Sequence, residues 1–183
     1  MQQNRSLYRV GRGGSILVTR GAGKTTRTEI INALASCRDG VLHLDFGGVD
    51  IIDYSFADEA IAKTISRLLT GEMGDKCIVL TNLNPAWDEN IDVALKQRQI
   101  AVVTGSTAVW GVLGTLKDHL RQTLAFVIRR QLVTARELAQ ENGLNVSAAN
   151  NRLAELWRQK LIRRSESIPP GGGRQYIYRS LLA

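Results

Sequence analysis

The chain has 183 residues, 44% of them hydrophobic, with 24 Lys and Arg against 17 Asp and Glu. That apolar content suits ordinary globular cores, and no window approaches the ~18 unbroken apolar residues of a membrane span. The net charge of +7 is uneven: residues 115–183 hold 12 basic and 5 acidic side chains, whereas the first 114 hold 12 of each. A basic third beside a neutral remainder points to a polyanionic partner for that third alone. The polar N-terminus lacks the apolar stretch of a secretory signal, so a cytoplasmic location is expected. Cys37 and Cys77 lie far apart without CxxC spacing, which argues against a metal site and a disulfide framework and leaves two structural thiols.

In chain order, residues 1–14 are polar and carry Gly11, Gly13 and Gly14, and are expected to form a flexible arm or an edge hairpin. Ile16-Leu17-Val18-Thr19 is a short β-branched run and predicts a buried strand. A helix follows over Thr25–Cys37, with Thr25 or Thr26 as its cap. Val41–Phe46 predicts a strand, Phe56–Leu69 a helix, Lys76–Thr81 a strand and Pro85–Gln97 a helix with Asn84 as N-cap. Ile100–Val103 predicts a fourth strand. Strands alternating with helices imply an α/β layer with a partly parallel sheet.

The pattern changes near Trp110–Gly114. Leu116, Leu120, Leu124, Val127 and Ile128 mark an amphipathic helix. Thr134–Asn142 predicts a shorter one, ended by Gly143. Val146–Lys160 predicts a third, with Ser147 as N-cap. Leu161–Arg164 and Gln175–Tyr178 predict two strands around the Pro169–Gly173 tip.

One motif near the start suggests phosphate binding. Gly21-Ala-Gly-Lys-Thr-Thr26 looks like a P-loop, but the first Gly of that motif is missing, since Val18 stands in its place. Without it the loop is too short to cradle phosphates. A nucleotide-dependent enzyme is therefore the least favoured reading. No Ser-His-Asp or Cys-His set is apparent, and no enzyme, cofactor or metal is expected.

Val41-Leu-His-Leu-Asp-Phe-Gly-Gly-Val-Asp-Ile-Ile-Asp-Tyr-Ser-Phe-Ala-Asp58 resembles the STAS family, the fold of bacterial anti-sigma-factor antagonists. Asp45, Val49, Ile51, Ile52, Asp53 and Ser55 occupy matching positions, and the resemblance extends over roughly residues 15–104. It implies an α/β domain in which Ser55 is the phospho-acceptor for an ATPase-type protein kinase. Tyr54 and Phe56 replace the family's Ser and Gly on either side. Read from its own residues, Ser55 simply caps the helix that starts at Phe56, and this reading is preferred.

The C-terminal third carries a second resemblance. Thr134–Ser147 closely resembles the bacterial helix-turn-helix pattern, and the order helix, helix, turn, helix, hairpin is that of a winged helix-turn-helix. Leu138 and Ala139 face the core, Gly143 permits the turn, and Val146 fills the gap between the helices. Ala149, Leu153, Leu156 and Trp157 mark the buried side of the last helix. Ser147, Asn151, Arg152 and Arg158 then face outward, with Asn150 at the margin, where Asn and Arg suit base edges or phosphates. Arg174 and Gln175 belong to the expected wing, and Arg163 and Arg164 flank its base as phosphate contacts.

The expectation is a STAS-like α/β domain over residues 1–112 and a winged helix-turn-helix over 113–183. Together they read as a transcriptional regulator that binds double-stranded DNA. The first domain would mediate homodimerisation or regulatory partner binding, with the apolar stretch Ala108–Leu113 packing the domains together or forming the dimer seam. The alternative is a signalling adaptor switched by phosphate on Ser55.

Overall fold

The computed structural model describes residues 6–168, 172 and 175–182, and the chain divides into two units, Met1–Thr115 and Leu116–Ala183.

In the first unit, Ser6–Arg9 form β1, a 3-10 turn covers Val10–Gly13, and Ile16–Leu17 form the short β2. The expected flexible arm over 1–14 is thus corrected: residues 6–13 are ordered structure, because Tyr8 and Val10 are buried anchors. α1 runs Arg20–Ser36, β3 Val41–Asp45 and β4 Ile51–Ile52. Next come α2 (Tyr54–Phe56), a π-helical turn (Ala57–Ala62) and α3 (Lys63–Leu69). β5 (Cys77–Thr81), α4 (Asp88–Gln97), β6 (Ala101–Gly105) and β7 (Trp110–Gly114) complete the unit.

Among the described residues, the main sheet has the order β1-β3-β5-β6-β7. β1, β3, β5 and β6 pair in parallel and β7 is antiparallel to β6, so the sheet is parallel with one antiparallel edge strand. Alternate residues Leu42, Leu44, Ile78, Leu80 and Val102 join a core with Ile30 and Leu34 of α1, Phe56 of α2, and Ile91 and Leu95 of α4. The stretch Ala108–Leu113, expected between the domains, lies in the first unit and supplies most of β7.

Helix starts in this unit differ from their expected places. α1 begins at Arg20, five residues before Thr25, because the Thr19 side chain accepts from the Ala22 N–H at 3.3 Å. Thr19 holds φ 79°, a conformation L side chains rarely adopt. The Gly21–Thr26 motif is therefore helix, with no loop for a phosphate. Gly23 has a packing reason: a Cβ there would fall 2.8 Å from Glu59 Cβ and 3.2 Å from the Phe56 carbonyl oxygen. α4 begins at Asp88, not Pro85, since Asn84 instead closes a local turn by accepting the Ala86 N–H at 3.0 Å.

The π turn carries two buried carboxylates, Asp58 and Glu59. Arg98 donates to Asp58 at 2.8 Å. Lys63 donates to Glu59 at 2.5 Å, and Arg27 also donates to Glu59. Burial of such charges requires partners of this kind.

In the second unit, α5 (Asp118–Arg130) buries Leu120, Leu124, Val127 and Ile128 at helical spacing. β8 (Leu132–Thr134), α6 (Ala135–Asn142) and α7 (Val146–Arg158) follow, then β9 (Arg163–Ser167) and β10 (Gln175–Arg179). The three strands form an antiparallel sheet in the order β8-β10-β9. β8 is additional to the expected elements.

Candidate nucleic-acid interface

The α6–α7 pair is built by local hydrogen-bond chemistry. Thr134 and Glu137 form a reciprocal capping box: Thr134 Oγ1 accepts from the Glu137 N–H at 3.3 Å, and Glu137 Oε2 accepts from the Thr134 N–H at 2.7 Å. Gly143 ends α6 in the left-handed region at φ 63°, ψ 31°. The Leu144 N–H then returns to the Ala139 carbonyl at 2.9 Å. α7 starts immediately, because Asn145 Oδ1 accepts from the Ala148 N–H at 2.7 Å.

Asn145, and not Ser147, is therefore the N-cap of α7. The short Asn side chain lies at the right distance from the third N–H of the helix, and Ser147 is an exposed residue inside the first turn. Val146 is also corrected: it is 52% exposed and fills no gap. Leu138, Ala139, Ala149, Leu153 and Leu156 do form the buried side, but Trp157 is only half-buried.

The outward residues of α7 lie on its first turns. Ser147, Asn150 and Asn151 are exposed and Arg152 is half-exposed. Arg158 is exposed but lies in the last turn and pairs with Glu155 at 2.7 Å. The Glu155 carboxyl is held below its usual range by the hydrogen bond from Gln159, with Arg158 adding to the effect.

The hairpin behind this helix is aromatic and cationic. Arg163 and Arg164 lie on β9, and Gln175 opens β10 opposite Ser167. Arg174 lies outside the described residues. Arg164 is no simple flanking charge. Its guanidinium lies 3.4 Å from the Trp157 ring centroid and 4.2 Å from that of Tyr176, a cation–π contact with each ring. Tyr178 is buried, and its hydroxyl donates to Asn150 Oδ1 at 3.4 Å. Burial pushes the Tyr178 phenol up, and the nearby Arg164 guanidinium opposes that rise.

Trp157, Tyr176 and Tyr178 were not singled out as site residues from sequence. The spacing of Tyr176 and Tyr178, two apart on a strand, is the signal that places them on one face.

In the first unit, Ser55 is half-buried in the first turn of α2. It is not the cap of that helix. Asp53 is, accepting the Phe56 N–H at 2.7 Å. Phe56 beside it is wholly buried, and the Tyr54 hydroxyl donates to Gln97 at 2.5 Å. Cys37 and Cys77 are buried free thiols. Among the described residues no group of three or more His, Cys, Asp or Glu is placed to hold a metal, and no helix is long and apolar enough to cross a membrane.

No protein-family model matches the chain, and no curated protein matches it in sequence. One solved structure, a possible transcriptional regulator from Methanosarcina mazei Go1, is similar over 36% of this chain at 21% identity, with a TM-score of 0.33. The chain covers 56% of that structure's length.

Proposed function

We propose that the second unit is a winged helix-turn-helix that binds double-stranded DNA, and that the chain is a transcriptional regulator. The observation that carries this reading is the polar face of α7. Ser147, Asn150 and Asn151 are exposed on its first turns, with half-exposed Arg152 at the margin, in a segment whose basic residues exceed its acidic ones by seven. An α-helix of this kind fits the major groove, where Asn and Arg reach base edges. Arg163 and Gln175 on the hairpin add backbone contacts in the manner of a wing.

In this reading the first unit is a STAS-like α/β domain. It decides when the basic unit binds, through self-association or a regulatory partner. β7 lies at the edge of its sheet among the described residues, and an edge strand is a surface through which a second copy adds. A homodimer on a palindromic site follows from that pairing.

The test is selection of bound duplexes from a random pool, followed by a salt titration on the selected site. A steep fall of affinity with salt supports the reading. A folded protein with no affinity for any duplex at low salt overturns it.

One observation favours a second reading. Asp53 caps α2, so the Ser55 hydroxyl is not committed to that role. A phosphate on Ser55 would add about −1.5 to −2 charges beside Asp53, which suits a phospho-switched adaptor. An ATPase-type kinase that labels the wild type and Ser55→Ala equally rules out that site.

A further inference from the structure

We infer that Arg164 is a positioning residue of the interface: it clamps the β9–β10 hairpin to α7 through the Trp157 and Tyr176 rings, and contacts no phosphate. This rests on the DNA-binding reading of α7 and deepens it.

Arg163 and Arg164 are neighbours in sequence, but the strand pleat sends them to opposite faces of the hairpin. The β9–β10 register sets Arg164 opposite Tyr178, and residues directly opposite share a face. Tyr178 is wholly buried, so that face is the packed one. Tyr176, two positions away on β10, lies on it as well. Arg163, opposite Arg179, lies on the other face.

On the packed face the Arg164 guanidinium lies 3.4 Å from the ring centroid of Trp157 on α7 and 4.2 Å from that of Tyr176 on β10. Lys160 is farther from the Trp157 ring, at 5.9 Å. Neither ring is sealed in the core, since Trp157 is half-buried and Tyr176 is 40% exposed. A planar, weakly hydrated guanidinium suits such rings better than an ammonium does. One side chain from β9 thus joins α7 to β10.

The Tyr178 hydroxyl donates to Asn150 Oδ1 at 3.4 Å, which ties β10 to α7 a second time. Asn150 and Trp157 are seven positions apart on α7, hence on one face and about 10 Å from each other along the axis. A single tie leaves a hinge, whereas two ties separated along the helix fix its angle to the hairpin.

That angle matters for binding. In the proposed reading α7 offers its polar first turns, and the hairpin offers Arg163 and Gln175, to the same duplex. Two elements already held at the bound angle lose less freedom on association. Loss of the clamp therefore weakens affinity and leaves the count of phosphate contacts intact. Loss of an Arg that sits on a phosphate lowers both.

The experiment uses the full chain and a duplex selected from a random pool. Affinity is measured at several salt concentrations for the wild type, Arg164→Ala, Arg164→Lys, Trp157→Leu and the double variant of Arg164→Ala with Trp157→Leu. Arg164→Ala is expected to lose about tenfold in affinity, in line with a cation–π contact on each of two rings. Its slope of log affinity against log salt is expected to match the wild type. Arg164→Lys keeps the charge without the planar stack, and is expected to bind more weakly than the wild type at an unchanged slope. The double variant is expected to lose less than the two single losses multiplied, because both substitutions break one contact. Without DNA, amide exchange of β9, β10 and the last turns of α7 is expected to quicken in Arg164→Ala while that of β3 stays the same.

A slope shallower by about 0.9 in Arg164→Ala, restored by Arg164→Lys, identifies a phosphate contact and overturns the inference. Undiminished affinity in Arg164→Ala overturns it too, as do fully multiplicative losses in the double variant or unchanged exchange in the hairpin. These results leave DNA binding itself standing. A wild type without affinity for any duplex overturns both. The slopes and amide exchange of the two Arg164 variants decide the matter even where Trp157→Leu does not fold.

Discussion

The Asp53 carboxylate joins two helix starts: one oxygen accepts the Thr19 N–H at 3.2 Å ahead of α1, and the other accepts the Phe56 N–H at 2.7 Å ahead of α2. Thr19 sits at φ 79°, so its backbone N–H is aimed at Asp53 by a conformation that costs energy by itself. Asp53→Ala removes both acceptors at once. Loss of a helix cap costs ~1 kcal/mol, and loss of a hydrogen bond to a charged group costs ~1.5–3 kcal/mol. The expected total is ~2.5–4 kcal/mol, read as a lower urea midpoint with an unchanged slope. Asp53→Asn keeps one oxygen and should lose about half as much.

The contact between Gly23 and Glu59 leads to a second expectation. In an exposed helix, Gly→Ala stabilises by roughly 1 kcal/mol. Here the added methyl meets Glu59 Cβ at 2.8 Å and a carbonyl oxygen at 3.2 Å, and neither is the end of a flexible side chain. Overpacking of this kind costs ~1–3 kcal/mol, so the clash outweighs the propensity gain. Gly23→Ala should lower the thermal midpoint. Lys24→Ala, one position on and exposed, should leave it within a degree or two.

Glu59 gives a pH dependence with a definite sign. Its carboxyl is held below the usual value of 4.5, chiefly by the hydrogen bond from Lys63, with Arg27 assisting. A group whose folded pKa is lowered contributes stability that is complete above its ordinary value and fades as pH falls through the folded value. The urea midpoint should therefore decline as pH falls below about 4.5. Glu59→Gln should be less stable at pH 7 and show a shallower acid decline. Equal acid slopes for the two proteins would show that other carboxylates govern the acid transition.

What was legible from the residues divides along the range of the interactions involved. The boundary between α6 and the following turn was readable because its determinants lie within four residues: Thr134 with Glu137, and Gly143 itself. The long apolar run of β3 was readable because all five of its residues are buried. β1 was not, since Ser6–Arg9 buries only Tyr8 fully. β7 was not, because Trp110–Leu113 are uniformly half-buried and show no alternation. The start of α1 was misplaced because Gly21 and Gly23 read as a loop, whereas the need for Gly23 comes from Glu59 in a distant part of the chain. In the candidate interface, the polar residues of α7 followed from periodicity. The role of Arg164 did not, since it depends on Trp157 and Tyr176 arriving from two other elements.

At the turn before α7 the residue that caps the helix is distinct from those assigned to the proposed interface. Asn145 holds the Ala148 N–H at 2.7 Å, while Ser147 and Arg152 make no contribution to that cap. Asn145→Ala should cost ~1 kcal/mol of stability. Ser147→Ala should change stability by less than ~0.5 kcal/mol. If the proposed DNA binding holds, the order should reverse there. If Arg152 neutralises one phosphate, Arg152→Ala should reduce the slope of log affinity against log salt by about 0.9. A base contact from Arg152 would instead leave the slope nearly intact and relax one position of the site. Measuring affinity at several salt concentrations on the selected duplex and on a scrambled one distinguishes the two. Equal losses on both duplexes with a shallower slope identify a phosphate contact. An unchanged affinity and slope on both would remove Arg152 from the interface.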